Sequence, residues 1–144
     1  MKKVLVLFFL LFTSVSFSNE LDTFVLTNYT INVTSSSSAD YTLSGTDFNG
    51  TVSGNDPNLT FYVGDQITFS VNASGHPFYI KTVAGTGTGN QASNGTESGN
   101  VVWTPSEAGT YYYQCSAHSG MVGTITINSN SDPSVTSIVL DETT

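Results

Sequence analysis

A single cysteine, Cys115, lies in the stretch Tyr112-Tyr113-Gln114-Cys115-Ser116-Ala117-His118-Ser119-Gly120-Met121-Val122-Gly123. A thiol, an imidazole and a thioether follow one another there at three-residue steps. The chain has one other histidine, His76, upstream in Gly75-His76-Pro77-Phe78. Two imidazoles, one thiolate and one weak thioether form the donor set of a mononuclear blue-copper site. Each residue also has an ordinary reading. A free cysteine is often a small buried apolar residue. Alone, His118 would read as a surface histidine, Met121 as core packing and His76 as a strand-end residue. The combination favours ligation: Cys-x2-His-x2-Met occupies one short loop, while His76 arrives from a separate strand. Three ligands on one loop cannot close a cage around an ion. Gly75 lets the backbone approach the metal closely, and its carbonyl is a candidate distant contact.

The elements that must position these residues read as strands. No long segment has helical period, and short alternating runs are broken by turn residues, as in an all-β sandwich. Strands are expected at 24–26, 29–33, 41–45, 50–53, 59–63, 66–72, 78–83, 100–104, 109–115 and 123–128. Gly64-Asp65 and Asn55-Asp56-Pro57 mark turns. Tyr111, Tyr113 and Cys115 share one parity, and Phe78 and Ile80 share that of His76. Both ligand-bearing strands thus carry a ligand at the end of an inward-facing row. Residues 84–99, rich in Gly, Thr, Asn and Ser, read as a long surface excursion. A short strand is expected at 135–140.

Composition narrows the function classes. The opening Lys2-Lys3, the apolar run of residues 4–12, and Ser16 and Ser18 read as a secretory signal over residues 1–18. The run is too short to span a bilayer, so no transmembrane span is expected after signal removal. The division that follows is 19–39 as an N-terminal strand and serine-rich linker, 40–128 as the copper-binding domain, and 129–144 as a tail. The whole chain has three basic and eleven acidic residues and a net charge of −8. Loss of Lys2 and Lys3 with the signal takes −8 to −10 and leaves Lys81 as the only cation. Such a chain is unsuited to nucleic acid, whose phosphates need basic side chains. It suits basic partners instead. One cysteine cannot form an internal disulfide, and an odd cysteine in an exported protein needs a reason such as metal ligation. Asn-x-Ser/Thr triplets begin at Asn28, Asn32, Asn49, Asn58, Asn72 and Asn94. In so Asn-, Ser- and Thr-rich a chain, composition alone supplies several of these.

From about residue 41 to 128 the chain resembles the cupredoxins, the plastocyanin, amicyanin and pseudoazurin group of small blue-copper proteins. The resemblance rests on Gly64-Asp65 before a strand and on Gly75-His76-Pro77-Phe78. It rests further on Trp103-Thr104-Pro105 with Ala108-Gly109-Thr110-Tyr111-Tyr112-Tyr113, and on Cys115-Ser116-Ala117-His118-Ser119-Gly120-Met121. It implies a Greek-key β-sandwich with one type 1 copper ion near one end. His76, Cys115 and His118 would be the trigonal ligands and Met121 the long axial one. The two-residue spacer before Met121 is similar to that of amicyanin; plastocyanin and pseudoazurin have a longer one. The residue after the first histidine is often asparagine in the family, and its N–H bonds the cysteine sulfur. Pro77 has no N–H, which implies a lower reduction potential.

The resulting expectation is a monomeric one-electron carrier, not an enzyme, located in the periplasm, secreted or at the cell surface. Its partners would be redox proteins, such as a basic cytochrome. The alternative is a module for copper delivery or storage without redox turnover, using the same ligands. Zinc would also bind Cys and His. A Cys-His hydrolase would need an orienting group, an oxyanion hole and a cleft, which one tight loop does not supply.

Overall fold

The alternation in Gln66-Ile67-Thr68-Phe69-Ser70-Val71-Asn72 turns every second side chain inward, and Ile67, Phe69 and Val71 are buried. The same rule builds the rest of the molecule. A computed structural model describes residues 25–130 and holds ten strands and no helix among them. In chain order these are β1 (Asn28–Thr34), β2 (Thr42–Asp47), β3 (Gly50–Asn55), β4 (Leu59–Tyr62), β5 (Gln66–Asn72), β6 (Phe78–Lys81), β7 (Gln91–Thr96), β8 (Ser98–Trp103), β9 (Gly109–Cys115) and β10 (Val122–Asn128). They form two five-stranded sheets, ordered β3-β2-β1-β5-β8 and β4-β10-β9-β6-β7. Both sheets are mixed, since β1 lies parallel to β5 and β4 parallel to β10. The architecture is an all-β sandwich. The expected leader at 1–18 and the expected strand at 135–140 lie outside the described residues.

The inner faces supply one core. Phe78 sits at its centre, fully buried, with its ring 5.1 Å from that of Phe69, 5.3 Å from Tyr41 and 5.7 Å from Tyr113. Tyr113 crosses over Gly123, its partner on β10. A Cβ on Gly123 would fall 2.1 Å from the phenol oxygen, so only glycine fits there. That phenol donates to the carbonyl of Pro57 at 2.8 Å, which satisfies its buried hydroxyl.

β1 falls where a strand is expected, at 29–33, and lies between β2 and β5 as a middle strand of its sheet. Two elements differ from the sequence expectation. Val25 and Leu26 are exposed and form no strand. Residues 91–96, expected within a surface excursion, form the edge strand β7 against β6, with register shifts. Its sequence, Gln-Ala-Ser-Asn-Gly-Thr, has no apolar alternation, because an edge strand held by backbone bonds needs none.

β5 runs the length of the sandwich. At its start Asp65 ties three segments together, accepting from the N–H groups of Thr27 at 2.9 Å and Tyr62 at 2.9 Å. Val25, Leu26, Phe48, Tyr62 and Asn130 line a groove of about 330 Å³ at this pole. At the other end of β5 the chain turns towards His76.

Candidate metal centre

Residues 73–76 form a tight turn closed by His76 N–H donating to the Ala73 carbonyl at 2.9 Å. Its third residue, Gly75, has φ +80°, which a side chain would strain. Glu97, between β7 and β8, braces the turn twice. Its carboxylate accepts from Gly75 N–H at 2.9 Å and its carbonyl from Ala73 N–H at 2.9 Å. The Tyr41 hydroxyl donates to the carbonyl of His76 at 2.9 Å. Burial first, and then the neighbouring Cys115, hold the Tyr41 phenol above its ordinary pKa, so it remains a neutral donor.

Cys115 ends β9 opposite Phe78 on β6 and is fully buried. The chain then folds back over itself. Cys115 N–H donates to the Met121 carbonyl at 3.0 Å, and Ser116 N–H to the Pro77 carbonyl at 3.1 Å. The second bond joins the two ligand-bearing segments directly. Ala117 N–H points at the Cys115 sulfur at 3.4 Å.

These constraints bring the three nitrogen and sulfur donors together. The ligand atoms of His76, Cys115 and His118 all lie within 4.8 Å of one another. The Nδ1 atoms of the two histidines are 3.1 Å apart, and His118 Nδ1 is 3.5 Å from the sulfur. Two imidazole nitrogens each about 2.0–2.1 Å from one ion stand roughly 3.3–3.6 Å apart at tetrahedral to trigonal angles, and a 3.1 Å separation corresponds to an angle of roughly 100° at the ion. The donor triangle therefore fits a single transition-metal ion. Cys115 is sealed from solvent while both histidines are half-buried, so the site is closed from below and reachable from above. Met121, the fourth residue expected at the site, is fully buried at the end of the same loop, and its carbonyl anchors that loop.

Two supporting residues went unread in the sequence. Gln114 has the parity of an outward side chain, yet it is 1 % exposed, because the ligand loop folds over it. Its amide nitrogen donates to the carbonyls of His118 and Met121, both at 3.1 Å, and so spans the loop. Lys81, the one cation among the described residues, is also 1 % exposed. Its ammonium donates to the carbonyls of Gly85 and Gly87, and Gly87 N–H donates to the carbonyl of Ser116 at 2.7 Å. The 82–90 loop is thereby pinned beside the cysteine. Neither contact has a signal in local sequence, since both depend on a loop covering an outer sheet face.

Behind the ligand loop, the Asp56 carboxylate accepts from Tyr41 N–H at 3.0 Å. Burial, reinforced by repulsion from Asp40 and opposed by that hydrogen bond, pushes its pKa up to about 6. A folded pKa raised above the unfolded value of about 3.9 favours the folded state fully below that value. The benefit is lost as pH rises through 6. Stability of the metal-free protein is therefore expected to fall between about pH 4 and 6, by about 1 kcal/mol once solvent screening is allowed for. Asp56→Asn keeps the acceptor oxygen and removes the proton. Its denaturation midpoint, compared with the parent at pH 4.5 and pH 7, should show the smaller change; an equal change in both proteins refutes the assignment.

The sequence matches no family model and no curated protein. The structure does have solved counterparts. Rusticyanin in its reduced form aligns with a TM-score of 0.52 at 18% identity, over 74% of this chain and 82% of that one. Rusticyanin from Thiobacillus ferrooxidans gives a TM-score of 0.49 at 20% identity, over 71% and 77%. A purple cupredoxin from Nitrosopumilus maritimus gives 0.45 at 25% identity, over 69% of this chain and 98% of that one. At these identities the first likeness speaks for the fold alone.

Proposed function

From a chain with the cupredoxin fold, we propose that His76, Cys115 and His118 hold one copper ion in a type 1 centre, with Met121 as its long axial ligand. The convergence of three donors from two distant stretches within 4.8 Å carries this reading. Copper in such a site supplies a one-electron couple between Cu(II) and Cu(I). The chain's part is to keep the donors nearly fixed in both states, so that little rearrangement opposes transfer. The Ser116–Pro77 bond, the Gln114 amide and the Tyr41 hydroxyl all serve that end. The protein is then a one-electron carrier and not an enzyme.

Export to the periplasm, the cell surface or the medium is supported by the basic start, apolar run and small residues of positions 1–18. No helix of the described residues is long and apolar enough to cross a membrane. The acidic balance and the buried position of Lys81 favour a redox partner with a basic surface, such as a cytochrome. Exposed charges are screened over about 8–10 Å at ordinary ionic strength, so that encounter should weaken with salt. Copper delivery or storage without turnover uses the same donors. Reversible one-electron reduction with fast self-exchange separates electron transfer from it.

Titration of the purified protein with Cu(II), followed by visible absorbance and electron paramagnetic resonance, tests the centre. An intense visible band and a narrow copper hyperfine splitting at one equivalent are expected. A colourless copper complex refutes it.

Two variants probe the surroundings. Gln114→Leu keeps most of the buried volume and deletes both loop-spanning bonds. Copper affinity should fall about 10–100-fold, the usual cost of losing an outer support of a metal ligand. Competition with a copper chelator measures it, and unchanged affinity removes Gln114 from this role. Pro77→Asn adds the backbone N–H that, by the family resemblance, bonds the sulfur, which Ala117 N–H already contacts. Less electron density on sulfur favours Cu(I), so voltammetry should show a higher potential than the parent. An equal or lower value contradicts the argument.

A further inference from the structure

The six Asn-x-Ser/Thr triplets take on a different meaning once placed in the fold. Asn28, Asn32, Asn49, Asn58, Asn72 and Asn94 are all exposed. Four of them belong to the first sheet. Asn28 and Asn32 project from the outer face of β1, a middle strand, and Asn72 from that of the neighbouring β5. Asn49 occupies the turn of the β2–β3 hairpin.

The face they share is unusual in its own right. Every outward position of β1, β2, β3, β5 and β8 is Ser, Thr, Asn or Gln, apart from Val102. No ionisable side chain projects from its strands, although the chain has a net charge of −8, and Asp40, just before β2, meets it only at one end through Asn55. The strand register sets Asn32 beside Ser44 on one side and Ser70 on the other, and Thr30 beside Thr68. A broad, uncharged sheet face is poorly protected against association, a task that charged side chains usually perform. Bulky hydrophilic glycans on asparagine protect such a surface equally well.

We propose that this face is N-glycosylated at Asn28 and Asn32, and the β2–β3 turn at its edge at Asn49. Each has threonine at the third position, Thr30, Thr34 and Thr51 respectively. Asn72 has serine there and lies one residue from the turn that presents His76. The donor class is an oligosaccharide joined through its anomeric carbon to a polyprenyl phosphate or diphosphate. The bond from that carbon to the phosphate oxygen breaks. The bond to the asparagine amide nitrogen forms, the nitrogen loses one proton, and the lipid phosphate or diphosphate leaves and takes up that proton on its freed oxygen. Oxidation states do not change. Asn28 and Asn32 stand about 13 Å apart along one strand, enough for both to be occupied. The proposal rests on export, as put forward above, and is independent of copper.

The test uses the full-length protein purified from its own organism. Intact mass and peptide mapping should show excess mass in sugar-unit steps, located on the peptides containing Asn28, Asn32 and Asn49. In the same host, Thr30→Val leaves Asn28 in place and should remove that glycan alone. Asn32→Gln should remove one more. Copper loading should be unchanged in both variants, because neither residue belongs to the metal centre. A chain with a trimmed N-terminus and unmodified peptides at all three sites overturns glycosylation while leaving export standing. An untrimmed, unmodified chain overturns both.

Discussion

Copper-loaded Cys115→Ser is expected to lose the intense visible band completely, and its copper affinity should drop by more than about 100-fold. Removing an outer support of a metal ligand already costs about 10–100-fold, and a direct thiolate ligand contributes more. In the proposed centre the band would arise from charge transfer out of the sulfur, which a serine oxygen would not supply. The substitution is well suited to the test because it changes little else. Cys115 is fully buried, and Ala117 N–H points at its side chain, so the new hydroxyl meets a hydrogen-bond partner. The metal-free variant should unfold within about 1–2 kcal/mol of the parent, since one buried polar substitution with a partner is tolerated at that level. A blue variant would remove Cys115 from the coordination sphere and with it the proposed centre.

Phe78→Ala should cost about 3–5 kcal/mol in denaturant unfolding, the usual range for deleting a buried phenylalanine. Domains of this kind are stable by only about 5–15 kcal/mol, so about a fifth or more of the total would go. The ring is fully buried and packs against Tyr41, Phe69 and Tyr113 at once. It also stands opposite Cys115 in the β6–β9 ladder. Its loss opens a cavity directly beneath the ligand-bearing strand ends. A measured loss below about 2 kcal/mol would mean that neighbouring rings close the gap and that Phe78 is not the centre of this core.

Much of the sandwich was legible because its central strands alternate. The inward rows Tyr111, Tyr113 and Cys115 and His76, Phe78 and Ile80 follow from period two alone. His76, Cys115 and His118 stand out because the sequence holds so few residues of those types, and folding brings their donor atoms together. Edges and covers were not legible. β7 pairs with β6 through backbone groups, which leave no trace in side-chain pattern. β1 alternates clearly, but nothing in its residues says that it sits between β2 and β5. Gln114 and Lys81 have outward parity, and their burial depends on loops whose paths no local rule supplies. The raised pKa of Asp56 likewise needs Asp40 and Tyr41 in place.

Val25 and Asn130 line one groove, and a whole seven-residue strand, about 23 Å, separates it from the turn that presents His76. An affinity handle or gold-binding linker grafted at either of these positions would hold the molecule by the end remote from its imidazoles. The histidines would then face the bulk liquid. On an electrode, that orientation leaves the metal pole open to a soluble redox mediator and places the protein's full thickness between the ion and the wire.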